Sequence, residues 1–269
     1  MKILITGATD GIGSFSAMEL AKQGHELILH GRNPEKLSHT KKKIIEITKN
    51  EKIDTVQADF SSIKEVDTMA RSIYNITNHL DVVLNNAGVF NKELVLTVDG
   101  YEHTMAVNHL AHFHLTLSLI PLLEKSKDAR VVNVSSLAHQ NGKIDFENLH
   151  CEKHFSAYSA YATSKLANIL FSNELSNRYS ESGIISNSLH PGVIDTKLLR
   201  AGFSIKGASL EEGCDNSVYL ATSPDVRRTT GKYFVKRSPT PTKTNTNDPE
   251  LLKKFFSWSE NQIKKVLFK

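Results

Sequence analysis

The sequence predicts an α/β protein with a doubly wound parallel sheet and helices on both faces of that sheet. Short apolar runs alternate with helical patterns along the chain, and neither a repeat nor a low-complexity linker interrupts them before residue 236. The first run, residues 3–5, is wholly apolar, as a strand buried on both faces requires. A chain of 269 residues can bury one large core. We therefore predict a single domain, residues 1–269.

Composition and charge are those of an ordinary soluble protein. The chain is 39% hydrophobic and 23% charged, and its formal net charge of +4 gives no reason to expect a nucleic-acid partner. Cys151 and Cys214 form neither a disulfide framework nor a metal-ligand spacing. A strand-like run follows Lys2 at once, and the most apolar long segment, residues 115–123, is too short to span a bilayer. We predict a cytoplasmic protein without a signal peptide or transmembrane segment.

Three glycines between the first strand and the first helix mark a candidate nucleotide site. Their GxxxGxG spacing lets the backbone turn tightly and approach a pyrophosphate, while the helix N-terminus offers free N–H groups and a positive dipole. The alternative is a glycine-rich turn without a ligand, but the position between strand and helix favours binding in a Rossmann-type fold. The predicted cofactor contacts here are Gly7, Thr9, Asp10, Gly11, Ile12 and Gly13.

The end of the second strand bears on the choice of nucleotide. An NAD-specific site has an acidic residue here, whereas this chain has His30, Gly31 and Arg32. An arginine can bind a 2′-phosphate through charge-assisted hydrogen bonds, so NADP(H) is favoured over NAD(H). Asp10 is an objection, because its charge could lie near the same phosphate. The alternative for Arg32 is a surface loop residue.

The ends of the third and fourth strands add candidate contacts. Asp59 can accept a hydrogen bond from the adenine amino group, or it can cap the helix that follows. The fourth strand runs into Asn85-Asn86-Ala87-Gly88, whose small side chains allow backbone to approach a cofactor. The predicted contacts are Asp59, Phe60, Asn86, Ala87 and Gly88.

Tyr161 and Lys165 form a candidate acid–base pair. Four residues apart on a helix, they share one face and lie about 6 Å apart along the axis. A free tyrosine has a pKa near about 10, and a neighbouring ammonium group lowers that pKa. The pair could then exchange a proton near physiological pH. Alone, this spacing is typical of a solvated helix face, so the other motifs decide whether the pair is catalytic.

Three motifs together resemble the signatures of the short-chain dehydrogenase/reductase family. They are Thr6-Gly7-(x)3-Gly11-x-Gly13, Asn85-Asn86-Ala87-Gly88 and Tyr161-(x)3-Lys165, in the family's order and spacing. The similarity covers nearly the whole chain. Within the family the sequence looks most like the retinol-dehydrogenase-like branch, through residues 132–139, 164–168, 190–192 and 258–260.

The resemblance implies a catalytic set of Asn108, Ser136, Tyr161 and Lys165. Asn108 lies in a long predicted helix, residues 101–125, where we expect a local distortion that holds a water and relays protons to Lys165. Ser136 matches the branch's catalytic serine better than Ser135 does. Lys165 would also hold the nicotinamide ribose.

The segment from His190 to Thr196 resembles the family segment that holds the nicotinamide carboxamide. The Val193 backbone and the Thr196 hydroxyl suit that amide, and the resemblance implies transfer of the 4-pro-S hydride. The predicted cofactor contacts are Pro191, Gly192, Val193 and Thr196, together with Tyr161 and Lys165.

The remaining segments bear on substrate and partners. Residues 197–209 are predicted to form an apolar lid that favours a lipophilic substrate, although ordinary packing explains the same composition. Residues 143–154 are expected to form a loop beside the pocket. A closing helix at residues 250–267 is expected to pack over the sheet edge or the pocket rather than on a membrane surface. The resemblance implies a homodimer formed by helices around residues 101–125 and 158–180.

The predicted function is reversible, NADP(H)-dependent interconversion of a small-molecule carbonyl and an alcohol. Tyr161 would donate a proton to the carbonyl oxygen, and Ser136 would hydrogen-bond that oxygen. Two alternatives stay open: a sugar-nucleotide epimerase or dehydratase, and a redox-sensing regulator that binds NADP(H) without turnover. No metal site is expected, because His109 and His112 have no carboxylate or cysteine partner nearby in the sequence.

Overall fold

The computed structural model describes residues 1–203, 205–242 and 245–268. Within these ranges eight strands form one sheet in the order β3-β2-β1-β4-β5-β6-β7-β8, in which β1 to β7 are parallel and β8 is antiparallel to β7. The strands are β1 Lys2–Ile5, β2 Glu26–Gly31, β3 Ile53–Gln57, β4 Val82–Asn85, β5 Arg130–Val134, β6 Ile185–His190, β7 Tyr233–Val235 and β8 Ser238–Pro239. The predicted Rossmann-type sheet is confirmed.

Helices connect the strands and cover both faces of the sheet. They are α1 Gly11–Lys22, α2 Pro34–Thr48, α3 Ile63–Ile76, α4 His103–Met105, α5 Ala111–Leu123, α6 Ala157–Arg178, α7 Lys197–Gly202, α8 Leu210–Thr222 and α9 Pro249–Leu267. Asp10, Asn33 and Ser62 cap α1, α2 and α3 by accepting hydrogen bonds from otherwise unpaired backbone N–H groups.

Alternate residues of each strand face two separate cores. In β1, Leu4 packs with the side chains of α3, α5 and α9, whereas Ile3 and Ile5 pack with those of α1, α2 and α8. All three are fully buried, and such burial contributes about 1.5–3 kcal/mol for each side chain. Burial on both faces explains why the strands read as continuous apolar runs.

The order of the strands reverses direction between β1 and β4. Connections leaving these two strands turn to opposite sides, which opens a crevice at the carboxyl ends of the strands. The glycine loop after β1 and the Asn86-Ala87-Gly88 segment after β4 both start at this edge. The topology therefore brings together motifs that lie far apart in the sequence.

The helical run His103–Leu123 passes through the core and contains a π-helical turn at Ala106–Leu110. The turn surrounds Asn108, where a distortion is expected, and π-turns are frequent at functional sites. The run is long and apolar enough to cross a bilayer, but 78% of its most apolar window is buried inside the protein. Helices in the core of a globular domain have the same properties.

Helix α9 packs across α3, α5 and α6. The expectation that it covers the sheet edge or the pocket is wrong, because its apolar face fits against the outer sides of these helices. The buried residues of that face are Leu252, Phe255, Phe256, Ile263 and Val266. The faces expected to form a homodimer are thus partly occupied by the chain itself.

The segment of residues 143–154 is irregular, as expected, but it lies away from the pocket. Leu149 is buried in a cluster with Leu166 of α6 and Phe255 of α9. His150 lies between two aromatic rings, with ring centroids 4.5 Å from Tyr101 and 5.2 Å from Trp258. These contacts tie the segment to α9. The short β8 begins a Pro- and Thr-rich stretch, of which residues 243–244 lie outside the described residues.

We expect Phe255→Ala to lower the free energy of unfolding by about 3–5 kcal/mol, because the ring is 1% exposed and its loss leaves a cavity beneath α9. Denaturant unfolding measures the change. Phe268→Ala is the control: its ring is 82% exposed, so its effect should stay within about 0.5 kcal/mol. Equal effects of the two substitutions would contradict the packing of α9 described here.

Candidate active site

The glycine loop and the segment after β4 pack as one unit. The Thr6 hydroxyl accepts hydrogen bonds from the N–H groups of Asn86 (2.8 Å) and Ala87 (2.9 Å), and the Asn86 amide donates to the Thr6 carbonyl (2.8 Å). A Cβ added to Gly13 would lie 2.3 Å from the Gly7 carbonyl oxygen and 2.4 Å from the Asn86 amide nitrogen. Gly7 has φ of +65°, which favours glycine. Both glycines are therefore required by backbone packing.

His30 supports this loop from the end of β2, a contact that the sequence analysis missed. Its Nδ1 accepts a hydrogen bond from the Gly7 N–H (3.3 Å), and its Nε2 donates to the Ala58 carbonyl (3.1 Å). Its ring stacks on Phe60 with centroids 4.1 Å apart. Burial lowers the pKa of His30 to about 4, so the ring is neutral and Nδ1 can accept. A histidine at a strand end carries no sequence signal for this role.

One cavity of about 670 Å³ extends from the glycine loop to the tyrosine–lysine pair, a size typical of ligand sites. Three of the predicted catalytic residues line it: Ser136, Tyr161 and Lys165. The other predicted cofactor contacts also line it: Gly7, Thr9, Asp10, Gly11, Ile12, Gly13, Arg32, Asp59, Phe60, Asn86, Ala87, Gly88, Pro191, Gly192, Val193 and Thr196. Asn108 alone of the predicted set lies behind the cavity wall.

The end of the cavity beside β2 is positively charged. Arg32 and Lys36 both line it, and the Arg32 guanidinium makes no hydrogen bond or ion pair with the residues that the structure describes. Asp10 forms an ion pair with Lys197 and accepts a hydrogen bond from Gly11 N–H. Burial acts to raise the pKa of Asp10, but these two partners outweigh it and lower that pKa. The nearby lysine thus offsets the carboxylate charge that counted against a phosphate.

Asp59 faces the same end of the cavity. Its carboxylate accepts a hydrogen bond from the Ser61 N–H (2.9 Å), and its own N–H donates to Glu65 (2.8 Å). The N-cap of α3 is Ser62, so the helix-capping alternative for Asp59 is wrong. Burial acts to raise the pKa of Asp59, but the Ser61 hydrogen bonds and Arg32 lower it overall.

Tyr161 and Lys165 lie together in a buried position on α6. The Lys165 Nζ is 5.6 Å from the centroid of the Tyr161 ring and donates to the Val134 carbonyl (3.1 Å). Burial raises the pKa of Tyr161 to about 12, against a smaller lowering by the Ser136 hydroxyl. Burial also lowers the pKa of Lys165 to about 8. The expectation of a lowered tyrosine pKa is wrong in its net direction, because burial raises that pKa overall. Tyr161 is a neutral phenol at physiological pH.

The two serines at the end of β5 have different partners. The Ser135 hydroxyl donates to the Lys165 carbonyl (2.7 Å) and is buried, so it anchors α6 to the sheet. The Ser136 hydroxyl accepts a hydrogen bond from the Ala138 N–H (3.2 Å) and lines the cavity beside Tyr161. Both residues line the cavity, but the Ser135 hydroxyl is bonded to the α6 backbone, so Ser136 is the better placed of the two to bind a ligand.

The Asn108 side chain links the backbone after Gly88 to helix α6 near Lys165. Its side chain accepts from the Val89 N–H (2.8 Å) and donates to the Val89 carbonyl (3.1 Å) and the Ser164 hydroxyl (3.0 Å). A Cβ added to Gly88 would lie 3.4 Å from Asn108 Oδ1 and 3.5 Å from Lys165 Nζ. Glycine at this position therefore keeps the asparagine and the lysine close to the cavity.

An aromatic cluster adjoins the end of the cavity beside Tyr161, and Phe203 is its member that lines the cavity. The ring centroids of Phe90 and Phe203 are 5.6 and 6.2 Å from that of Tyr161 and 5.6 Å from each other. A Cβ added to Gly202 would lie 3.0 Å from the Phe90 ring. Phe203 belongs to the predicted lid, of which Ser204 lies outside the described residues. This end is suited to an apolar ligand.

The histidines of the central helical run bind separate partners. His109 contacts the Ser259 hydroxyl (2.8 Å), whereas His112 contacts the Thr6 hydroxyl (2.8 Å) and the Asn108 carbonyl (3.0 Å). Among the described residues, no group of three or more His, Cys, Asp or Glu side chains could hold a metal ion.

Comparison with known proteins agrees with this geometry. The family model for short chain dehydrogenase matches residues 1–204. The chain is 38% identical to human retinol dehydrogenase 11 over 241 residues, which cover 86% of this chain and 76% of that protein. It is 36% identical to mouse retinol dehydrogenase 13 over an alignment of 278 residues, which covers 96% and 82% of the two chains.

The chain belongs to the short-chain dehydrogenase family. The predicted place in its retinol-dehydrogenase-like branch is confirmed, and the protein is an oxidoreductase of that family.

Solved structures of similar chains have the same fold. A protein from Mycobacterium paratuberculosis superposes with a TM-score of 0.81 at 28% identity and covers 98% of this chain and 93% of its own. A Shigella flexneri short chain dehydrogenase complexed with NADP has a TM-score of 0.73 at 28% identity, with 87% and 95% covered. This short-chain dehydrogenase therefore shares its sheet and crevice with a relative that binds NADP.

We expect Gly13→Ala to weaken NADPH binding at least about tenfold, because the added Cβ overlaps backbone of the glycine loop and displaces it. Titration of NADPH fluorescence measures the affinity. Gly24→Ala is the matched control: its φ is +79°, but a Cβ there meets no atom within 4 Å. It should cost about 1–2 kcal/mol of stability through backbone strain and leave the affinity unchanged. A Gly13→Ala variant that binds NADPH with wild-type affinity would contradict the packing of the glycine loop described here.

Proposed function

We propose that this enzyme uses NADP(H) to interconvert a lipophilic aldehyde or ketone and the corresponding alcohol, with Tyr161 as the acid–base group. The observation that carries the proposal is one cavity that joins the glycine loop to Ser136, Tyr161 and Lys165. A site of this form places a dinucleotide at one end and a proton donor at the other.

The residues at the cofactor end fit a dinucleotide phosphate. A Cβ added to Gly11 would meet only the Thr196 side chain, at 3.5 Å, so the N-terminus of α1 is open to a pyrophosphate. Arg32 and Lys36 offer positive charge to a 2′-phosphate. An Escherichia coli short chain dehydrogenase complexed with NADPH, 29% identical to this chain, supports the same nucleotide. When bound, NADPH supplies the hydride that reduces the carbonyl carbon.

The catalytic end is arranged for proton donation to a carbonyl oxygen. The neutral phenol of Tyr161 holds the proton, and Ser136 offers a second hydrogen bond to the developing negative charge. The positive charge of Lys165 beside the ring stabilises the phenolate that remains after donation. The proton relay through Asn108 stays a prediction; the observed bonds of that side chain go to Val89 and Ser164.

The substrate end is apolar. Phe90, Leu198 and Phe203 pack in one cluster with Tyr161, and Leu198 and Phe203 of this cluster line the cavity. The names of the curated relatives specify retinol, a lipophilic alcohol, which supports the same chemical class here. The homodimer and the cytoplasmic location stay predictions. Helix α9 covers part of the outer faces of α5 and α6, the helices through which that dimer is predicted to form.

A panel of aldehydes and ketones, tested with NADPH and with NADH, separates this proposal from its alternatives. Steady oxidation of NADPH by lipophilic carbonyls supports it. Binding of NADPH without turnover across the panel would favour the redox-sensing regulator. Turnover of sugar nucleotides alone would favour the epimerase or dehydratase.

We expect Tyr161→Phe to lower kcat at least about 10²-fold, because phenylalanine keeps the ring but cannot donate a proton. NADPH affinity should stay within about twofold of wild type. Steady-state kinetics and fluorescence titration measure the two quantities. Near-normal turnover in this variant would refute the role of Tyr161.

We expect Arg32→Ala to raise the KM for NADPH about 10- to 100-fold and to leave the KM for NADH nearly unchanged, because only NADPH carries the 2′-phosphate. Arg71→Ala, which removes an exposed arginine on α3, serves as the control for the loss of one charge. A preference of the wild-type enzyme for NADH would refute the role of Arg32.

We expect kcat/KM for carbonyl reduction to be level near neutral pH and to fall above about pH 8. Burial lowers the pKa of Lys165 to about 8, so its positive charge is present below that pH and lost above it. Tyr161, with a pKa of about 12, keeps its proton over the same range. Lys165→Arg should be slower but should lack this alkaline decline, since arginine stays protonated. A wild-type profile that is level to about pH 10 would contradict the assignment.

A further inference from the structure

A buried histidine lies directly behind Ser136. His139, in the 3-10 turn Leu137–Asn141, is fully buried and does not line the cavity. Its Nδ1 donates to the Ser136 carbonyl (2.7 Å). Burial lowers the pKa of His139, so the ring is neutral and Nε2 carries a lone pair. That lone pair has no hydrogen-bond partner in the described part of the chain.

A buried tyrosine hydroxyl lies beside this histidine. Tyr233, on β7, is 4% exposed, and its ring centroid is 4.7 Å from that of His139. Its hydroxyl has no partner among the described residues either. Burial raises the pKa of Tyr233, with a smaller contribution from a negative charge on Tyr161. The hydroxyl therefore stays protonated and can donate.

The two unpaired atoms are complementary. One is an acceptor and the other a donor, and they are not bonded to each other. Burying either without a partner is costly, and native proteins commonly satisfy such atoms with an internal water that makes two or more hydrogen bonds. A water that donates to His139 Nε2 and accepts from the Tyr233 hydroxyl would satisfy both atoms.

The backbone that carries Ser136 is held by two histidines. On one side His139 Nδ1 donates to the Ser136 carbonyl, and on the other His190 Nδ1 accepts a hydrogen bond from the Leu137 N–H (3.3 Å). The orientation of the His139 ring thus determines where the Ser136 peptide and its hydroxyl lie relative to Tyr161.

We propose that His139 and Tyr233 together hold an internal water behind Ser136 and act as positioning residues for the Ser136 hydroxyl. The inference rests on the proposed carbonyl–alcohol chemistry for its catalytic consequence. The water itself is independent of that chemistry and can be tested without turnover.

Tyr233→Phe gives opposite results for a bridged and an unbridged hydroxyl. Removal of a hydroxyl that lacks any partner relieves a buried polar group and raises the melting temperature. Removal of a hydroxyl that bonds a water leaves that water with too few hydrogen bonds and lowers the melting temperature. We expect a lower melting temperature and a kcat lower by about three- to tenfold, with KM for NADPH unchanged. A higher or unchanged melting temperature, or an unchanged kcat, overturns the proposal.

A double-mutant cycle tests whether the two residues share one water. In His139→Asn, the shorter amide can keep the bond to the Ser136 carbonyl while the Nε2 side is lost. We expect His139→Asn and Tyr233→Phe to lower kcat by similar factors and the double variant to be no slower than either. His139→Ala loses both bonds and should be slower than His139→Asn. If the loss of kcat in the double variant equals the product of the two single losses, the proposal of one shared water is overturned.

The control is Tyr219→Phe, on the opposite face of the sheet, which should leave kcat unchanged. If the wild-type enzyme reduces no carbonyl, the proposed function fails. In that case the melting temperatures of the two single variants and the double variant still show whether the water is present, so the two failures are distinguishable.

Discussion

The close contact between the glycine loop and the segment after β4 is the constraint on which the rest of the site depends. The Thr6 hydroxyl accepts hydrogen bonds from two backbone N–H groups of that segment, and it also contacts His112. His112 in turn donates to the carbonyl of Asn108, whose side chain holds Val89. A continuous set of bonds therefore links the nucleotide end of the cavity to the catalytic end. Glycine at the points of closest approach makes this packing possible.

Burial determines the chemistry of the catalytic end. Tyr161 and Lys165 lie at the floor of the cavity with almost no solvent contact, so burial favours the neutral form of each. A neutral phenol beside a lysine of lowered pKa is suited to donating a proton and then stabilising the charge left behind. In the proposed mechanism Ser136 supplies the second hydrogen bond, and its backbone carbonyl is bonded by the buried His139 behind the cavity wall.

Much of this arrangement could be predicted from the sequence because it depends on local patterns. Apolar runs define the parallel strands, and glycines before a helix define the nucleotide loop. Contacts between distant residues had no such signal: Lys197 pairs with Asp10 across 187 positions, and His30 supports Gly7. The pKa of Tyr161 could not be predicted from a four-residue spacing, because its direction depends on tertiary burial. The position of α9 could not be predicted either, since an apolar helix face does not specify which helices it packs against.

The central claim is that the cavity carries hydride transfer between a nicotinamide and a carbonyl carbon. The most direct test uses NADPH deuterated at the 4-pro-S position, a lipophilic aldehyde and mass spectrometry of the alcohol product. We predict one deuterium at the former carbonyl carbon, and none when the label is at the 4-pro-R position. An alcohol without deuterium from the 4-pro-S label would contradict the account.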